Sequence, residues 1–168
     1  MITDKYVEAA LSLGARRAAP FEAEQIFYDP RVFLKCAFGC ADFGKLHTCP
    51  YQRSPLTMED YEKIFKRYER GIVIGCGDKK SSQRISYEIE RACFLDGYYF
   101  AFSLSDCGLC DECAKKFSQD CRVPSKARPA FHGVGIDVFK TVRGLGLPIE
   151  ILKSEADEQN WYSAVFIE

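Results

Sequence analysis

Four cysteines crowd one short stretch, Cys107-Gly-Leu-Cys110-Asp-Glu-Cys113 and, seven residues further on, Cys121. A turn with three thiols at two-residue intervals wraps three corners of a cubane, and a fourth thiol from the returning chain completes it, as in bacterial ferredoxin runs. Cys107, Cys110, Cys113 and Cys121 are therefore candidate ligands of a 4Fe-4S cluster. The gap before Cys121 exceeds the ferredoxin gap, so one local cluster is expected rather than interleaved ligation. Zinc is the alternative occupant. Its tetrahedral sites usually combine two Cys-x-x-Cys-like knuckles, and a third cysteine two residues beyond a knuckle is an awkward neighbour for that geometry.

A second constellation is Cys36-Ala-Phe-Gly-Cys40 followed by Cys49-Pro50. Three thiols in a glycine-bearing loop, with proline after the last, resemble a cluster-binding loop, although the spacing is not that of radical S-adenosylmethionine enzymes. No fourth cysteine lies inside the loop. His47 within it, or Cys76 at a strand end, can approach from elsewhere. A cluster held by Cys36, Cys40 and Cys49 alone would leave one iron open to a substrate or small ligand. Cys93 falls on the apolar face of a helix and Cys76 follows an apolar run, so both are read as core, where free cysteine packs as a small hydrophobe.

The whole chain bounds this chemistry. Its 168 residues, 47% hydrophobic and 14% aromatic, suffice for one core, which makes residues 1–168 a single metal-binding domain. Asp4, Glu8, Arg16 and Arg17 interrupt any leader-like apolar stretch. With no export signal and an adequate core, a disulfide framework is a poor account of nine cysteines. The longest near-apolar run, residues 98–104, is far shorter than the roughly 20 residues that span a bilayer. The expected setting is soluble and cytoplasmic, without membrane partners. A net charge of −1, from 23 basic and 24 acidic residues, exerts no pull toward nucleic acid.

Something must position these loops. Tyr6, Ala9, Ala10 and Leu13 mark an opening amphipathic helix stopped at Gly14. Residues 32–34 read as a strand leading into an aperiodic loop over residues 36–55. Thr57 and Asp60 form a capping box ahead of Met58, Tyr61, Ile64, Phe65 and Tyr68 at helical spacing. A strand at 72–74 is followed by a helix capped by Ser81 or Ser82, with Ile85, Ile89, Ala92 and Cys93 on its apolar side and Gly97 closing it. Residues 98–104 form the next strand. That long crossover implies a parallel pair. Val134, Val138, Val142 and Leu145 mark a last helix, and strands at 149–152 and 162–167 complete the sheet. The expected class is α+β, a mixed sheet with helices packed on it and two long cysteine-bearing loops.

The motifs Cys36 to Cys49-Pro50, Cys107 to Cys121 with Pro124, Ala127-Arg128-Pro129 and Gly135-Ile136-Asp137-Val138 resemble the predicted metal-binding protein family, a domain of unknown function found mostly in anaerobic bacteria and archaea. The resemblance spans nearly the whole chain. It implies metal binding at Cys36, Cys40, Cys49, Cys107, Cys110, Cys113 and Cys121, leaves out Cys76 and Cys93, and implies no reaction. Tyr51 stands where the family commonly has a second proline.

Other features have plainer readings. Gly133-Val-Gly135 reads as a helix entry turn rather than an anion cradle, His132 as a loop histidine and Asp137 as a helix cap. Arg122, Lys126 and Arg128 are expected to screen the charge of the nearby cluster in part. Three functions compete. The first is an iron–sulfur protein exchanging electrons with a redox partner protein. The second is an enzyme using an open iron at Cys36, Cys40 and Cys49 on a small-molecule substrate. The third is a non-enzymatic module stapled by Zn2+. No acid–base pair or substrate pocket can be named from sequence.

Overall fold

Strand β2 (Arg70–Cys76) is buried from Gly71 onward and must therefore be covered on both faces and both edges. In the computed structural model, which describes residues 2–168 apart from the side chains of Arg53 and Phe117, it is. Strand β1 (Arg17–Glu22) pairs along one edge, from Arg17 opposite Gly75 to Glu22 opposite Arg70. Strand β4 (Trp161–Phe166) pairs along the other, and β3 (Phe102–Leu104) lies beyond β4. The order is β1-β2-β4-β3, with every pair antiparallel.

Alternation along the strands sends side chains to two cores, as the two-residue period of a strand requires. Val73, Ala164 and Phe166 join one, Ile72, Ile74 and Val165 the other. Helices α1 (Asp4–Ser12) and α5 (Lys79–Leu95) cover the second face through Tyr6, Ala10, Ile85, Ile89 and Cys93. The first face is covered by Phe65 of α4 (Met58–Phe65), Val142 of α6 (Val138–Gly144) and the connecting residues Phe131, Val134 and Ile136. Helices α2 (Val32–Gly39) and α3 (Pro50–Arg53) carry or adjoin the first three cysteines. No helix among the described residues is long and apolar enough to cross a membrane.

The α+β class stands, but the sheet is antiparallel and not mixed. The long crossover through α5 does bring β3 back in the direction of β2. The pair is not adjacent because β4, the last strand in the chain, lies between them. Residues 32–34 are helical: the Asp29 carboxylate accepts the Arg31 N–H (2.9 Å) and the Asp29 carbonyl accepts the Val32 N–H (3.0 Å), so the chain is already turning. Residues 149–152 form no strand. Ile149 is buried, Ile151 and Leu152 are exposed, and the Ile149 carbonyl is taken by the Arg143 guanidinium. Strand β1 was not expected, because only Phe21 in it is buried and Pro20 interrupts it, as an edge strand tolerates.

Local signals held where a side chain closes the turn. Thr57 and Asp60 form the reciprocal capping box of α4, and Asp137 caps α6 by accepting the Lys140 N–H at 2.9 Å. Helix α5 begins earlier than expected, because Asp78 rather than a serine caps it, accepting the Ser81 N–H at 2.8 Å. Its Glu90 carboxylate, nearly buried, accepts from the Ser103 N–H (2.7 Å) and hydroxyl (2.6 Å) and from Arg128 Nε (2.9 Å). That single group joins α5, β3 and the segment following Cys121.

Candidate metal centre

The chain leaves β3 through two anchors. The buried Ser105 donates its N–H to the Pro129 carbonyl (2.8 Å), and three residues later the Gly108 N–H donates to Gln83 of α5. A Cβ at Gly108 would stand 2.8 Å from Lys80 Cα and 2.9 Å from Lys80 N, so only glycine lets Cys107 and Cys110 sit this close to the start of α5. Cys113 then precedes a 3-10 turn, Ala114–Phe117, and Ser118 adopts the left-handed conformation (φ 58°) that sends the chain back toward Cys121. Cys107, Cys110, Cys113 and Cys121, each half-buried, line one cavity of about 350 Å³. Ion pairs Lys80–Asp111 (3.0 Å) and Lys116–Asp42 (3.5 Å) hold its rim.

The other three cysteines arrive on helices rather than on one open loop. Cys36 is buried on α2, Cys40 is exposed at its C-terminal cap, and Cys49 precedes α3, whose first residue is Pro50. Proline suits that position, since its missing N–H is not needed there. Gly133 packs against the Pro50 ring and the Gly44 N–H donates to Cys49 Sγ at 3.3 Å. Cys36, Cys40 and Cys49 line a cavity of about 180 Å³ together with Tyr51, Asp106 and His132. The two cavities adjoin: Asp42, Leu46, Thr48, Lys79 and Cys107 line both.

Electrostatic neighbours divide the thiols in the same way. Burial pushes the Cys36 thiol up, and Cys40, Cys49 and Asp106 add to it. Burial also pushes Cys107 up, opposed by the Leu109 backbone N–H and reinforced by Cys113, Cys121 and Cys110. Without metal these two thiols hold their protons, and metal binding must release them. All nine cysteines are free. Among the described residues, no three His, Cys, Asp or Glu side chains converge closely enough to chelate a single ion.

Several sequence expectations change here. Cys76 and Cys93 are buried in the core under α1 and α5, as read, and Cys76 does not line the cavity of the Cys36 group. His47 lines the cavity of the Cys107 group and not that of Cys36. Neither lines the Cys36 cavity. Of the three cations expected near Cys121, only Arg122 lines its cavity. Arg128 is drawn to Glu90 and lies over the Tyr87 and Phe102 rings, and Lys126 lies over Tyr87. Lys79 and Lys116 take their place, brought in by folding. Asp106 and Tyr51 were also missed as wall residues, although each adjoins a cysteine segment in sequence.

The donor chemistry fits a metal group. The Tyr51 hydroxyl is buried with no hydrogen-bond partner among the described residues, in the wall that holds Cys36 and Cys49. An orphaned buried donor is costly, and a sulfur-rich anionic group in the cavity would satisfy it. Beyond this wall opens a cleft of about 700 Å³, lined by Lys35, Phe131, Ile136, Phe139 and Trp161 among others, which meets the Cys36 cavity at Asp106 and His132.

Fold and site together define an α+β protein that gathers seven of its nine cysteines around two adjoining cavities. The chain belongs to the family described as predicted metal-binding protein (DUF2284), whose family model matches residues 19–167. No curated protein and no solved structure matches it.

Proposed function

We propose that residues 1–168 form a single iron–sulfur domain that carries electrons, with a 4Fe-4S cluster at Cys107, Cys110, Cys113 and Cys121 and a second at Cys36, Cys40 and Cys49. The observation that carries this reading is the lining of two adjoining cavities by these two sets of thiols. Three thiols at two-residue spacing and a fourth on the returning chain, all lining one cavity, suit a cubane, whereas a zinc ion takes four ligands about 2.3 Å from one centre. A bound cluster supplies a one-electron couple whose potential follows charge, burial and hydrogen bonds to sulfur.

The chain's own groups meet those needs. Backbone N–H groups of Gly44 and Leu109 point at Cys49 and Cys107 sulfur and stabilise thiolate. Four thiolates on a 2+ cubane leave about −2, which Lys79, Lys116 and Arg122 offset from the cavity wall. The shared wall at Cys107 makes electron transfer between the two sites short. The partner in this reading is a redox protein of the cytoplasm, with no nucleic acid or membrane involved.

The 700 Å³ cleft favours a second reading, an enzyme in which the Cys36 site meets a small substrate entering past Asp106 and His132. A zinc-stapled module ranks third. Purification under argon from iron-replete medium, followed by iron, sulfide and zinc analysis, separates both iron–sulfur readings from the zinc module. Brown protein with iron and labile sulfide in equal amounts, at least about four of each per chain, is expected. Colourless protein retaining stoichiometric zinc would refute the iron–sulfur reading.

A further inference from the structure

We infer that Asp106 is the fourth protein ligand of the iron site at Cys36, Cys40 and Cys49, making it a three-thiolate, one-carboxylate centre that faces the large cleft. The inference rests on the reading that an iron–sulfur cluster occupies that cavity.

Position is the first argument. Asp106 lines the same cavity as the three thiols, whereas His47 and Cys76, the two candidates named from the sequence, do not. Its backbone is held on both sides, by Ser105 on the Pro129 carbonyl and by Gly108 against α5, so the carboxylate is presented from a fixed stretch of chain. Pre-positioning of this kind is what a metal ligand requires.

Availability is the second. No hydrogen bond or ion pair occupies the Asp106 carboxylate among the described residues, although the residue is half-buried. The other groups in the wall are committed. Asp42 is paired with Lys116, and Cys107 lies among Cys110, Cys113 and Cys121. Tyr51 is fixed by ring packing against Phe33 and Phe43 and presents a neutral hydroxyl rather than a carboxylate. His132 lines the cavity but is exposed on its turn. It is the rival that the experiment must separate.

The consequence is chemical asymmetry. A carboxylate is a harder ligand than thiolate and holds iron less firmly in a sulfur-rich site. Asp106 also lines the cleft, so the iron it holds is the one that a molecule in the cleft reaches by displacing the carboxylate.

The test uses the anaerobically reconstituted full chain and its Asp106→Cys, Asp106→Ala and His132→Ala variants, treated with ferricyanide. One electron passes from the 4Fe-4S cluster to ferricyanide, the iron–carboxylate bond breaks and ferrous iron leaves, so that three irons and four sulfides remain. The parent is expected to lose about one iron per chain and to show a three-iron EPR signal, while Asp106→Cys keeps its iron and stays silent. Asp106→Ala should lose that iron faster than the parent. Equal iron loss in the parent and both Asp106 variants, or protection altered only by His132→Ala, overturns the inference while leaving the cluster in place. A parent holding only about four irons, unchanged by Cys49→Ser, removes the second cluster itself and the inference with it.

Discussion

Tyr51 packs its ring against Phe33 and Phe43, both with centroids at 5.3 Å, and so carries its hydroxyl into the cavity wall with no partner there among the described residues. Leaving a buried hydroxyl unsatisfied costs on the order of 1–3 kcal/mol. Tyr51→Phe should therefore stabilise the metal-free protein by ~1 kcal/mol in urea unfolding with chelator and reductant present. With the proposed cluster bound at Cys36, Cys40 and Cys49, losing this hydroxyl as a donor to sulfur should make that cluster's reduction potential more negative. An unchanged potential in a redox titration would mean that the hydroxyl reaches no sulfur. The thiols themselves separate by the same logic. Cys93 is fully buried, so Cys93→Ser should cost about 1–3 kcal/mol whether or not metal is bound. Cys110→Ser should leave the metal-free protein nearly unchanged and lower the melting temperature of the loaded protein far more than Cys93→Ser does. Equal losses in paired melts under argon would rule out Cys110 as a ligand.

Helix α5 is the element on which the site depends. Asp78 caps its first turn, Lys79 faces both cavities, Gln83 holds Gly108 and Glu90 gathers β3 and Arg128. Gly108→Ala tests this arrangement, because the added methyl meets helix backbone at Lys80, which cannot move as a side chain can. Gly108 and Lys80 belong to neither core and to no strand, so circular dichroism should be unchanged. Metal affinity at the Cys107 group should fall on the order of tenfold or more, the usual effect of disturbing the groups that support ligands. Iron retained at the parent level after gel filtration with chelator would show that the loop tolerates the displacement.

For the molecule as a whole, the core under α1 and α5 sets the response to alkali. Burial pushes the Cys93 thiol up to about 12 and the Cys76 thiol up to about 11, from an ordinary value of 9.0. Tyr6 in the same core moves in the same direction, through burial and its hydrogen bond to Asp96. The folded chain thus holds these protons more tightly than the unfolded one. Their contribution to stability is complete below pH 9.0 and is lost as pH rises through the folded values. Unfolding free energy of the metal-free protein should be flat between pH 7 and 9 and then fall, by up to ~1.4 kcal/mol per pH unit for each group. Cys93→Ala should reduce that slope, and an identical slope in the variant would show that another group is responsible.

By itself the sequence determined whatever is encoded over a few residues. The capping box at Thr57 and Asp60 was legible because both partners sit in one turn, and the core positions Ile85, Ile89 and Cys93 because one helical period repeats them. The grouping of Cys36, Cys40 and Cys49, then Cys107, Cys110, Cys113 and Cys121, was read from spacing, and Cys76 and Cys93 were set apart by the apolar residues around them. Tertiary structure decided everything that pairs distant segments. The placement of β4 between β2 and β3 depends on the last strand of the chain, and no local period records where that strand will pair. The meeting of the two thiol groups at Cys107, the arrival of Asp106 beside Cys36 and the removal of Arg128 to Glu90 follow from how α5 and the sheet pack. Burial and charge pairing act through space, so a carboxylate that folding brings into the wall of the Cys36 cavity, 70 residues along the chain from Cys36, carries no mark of that placement in its own neighbourhood.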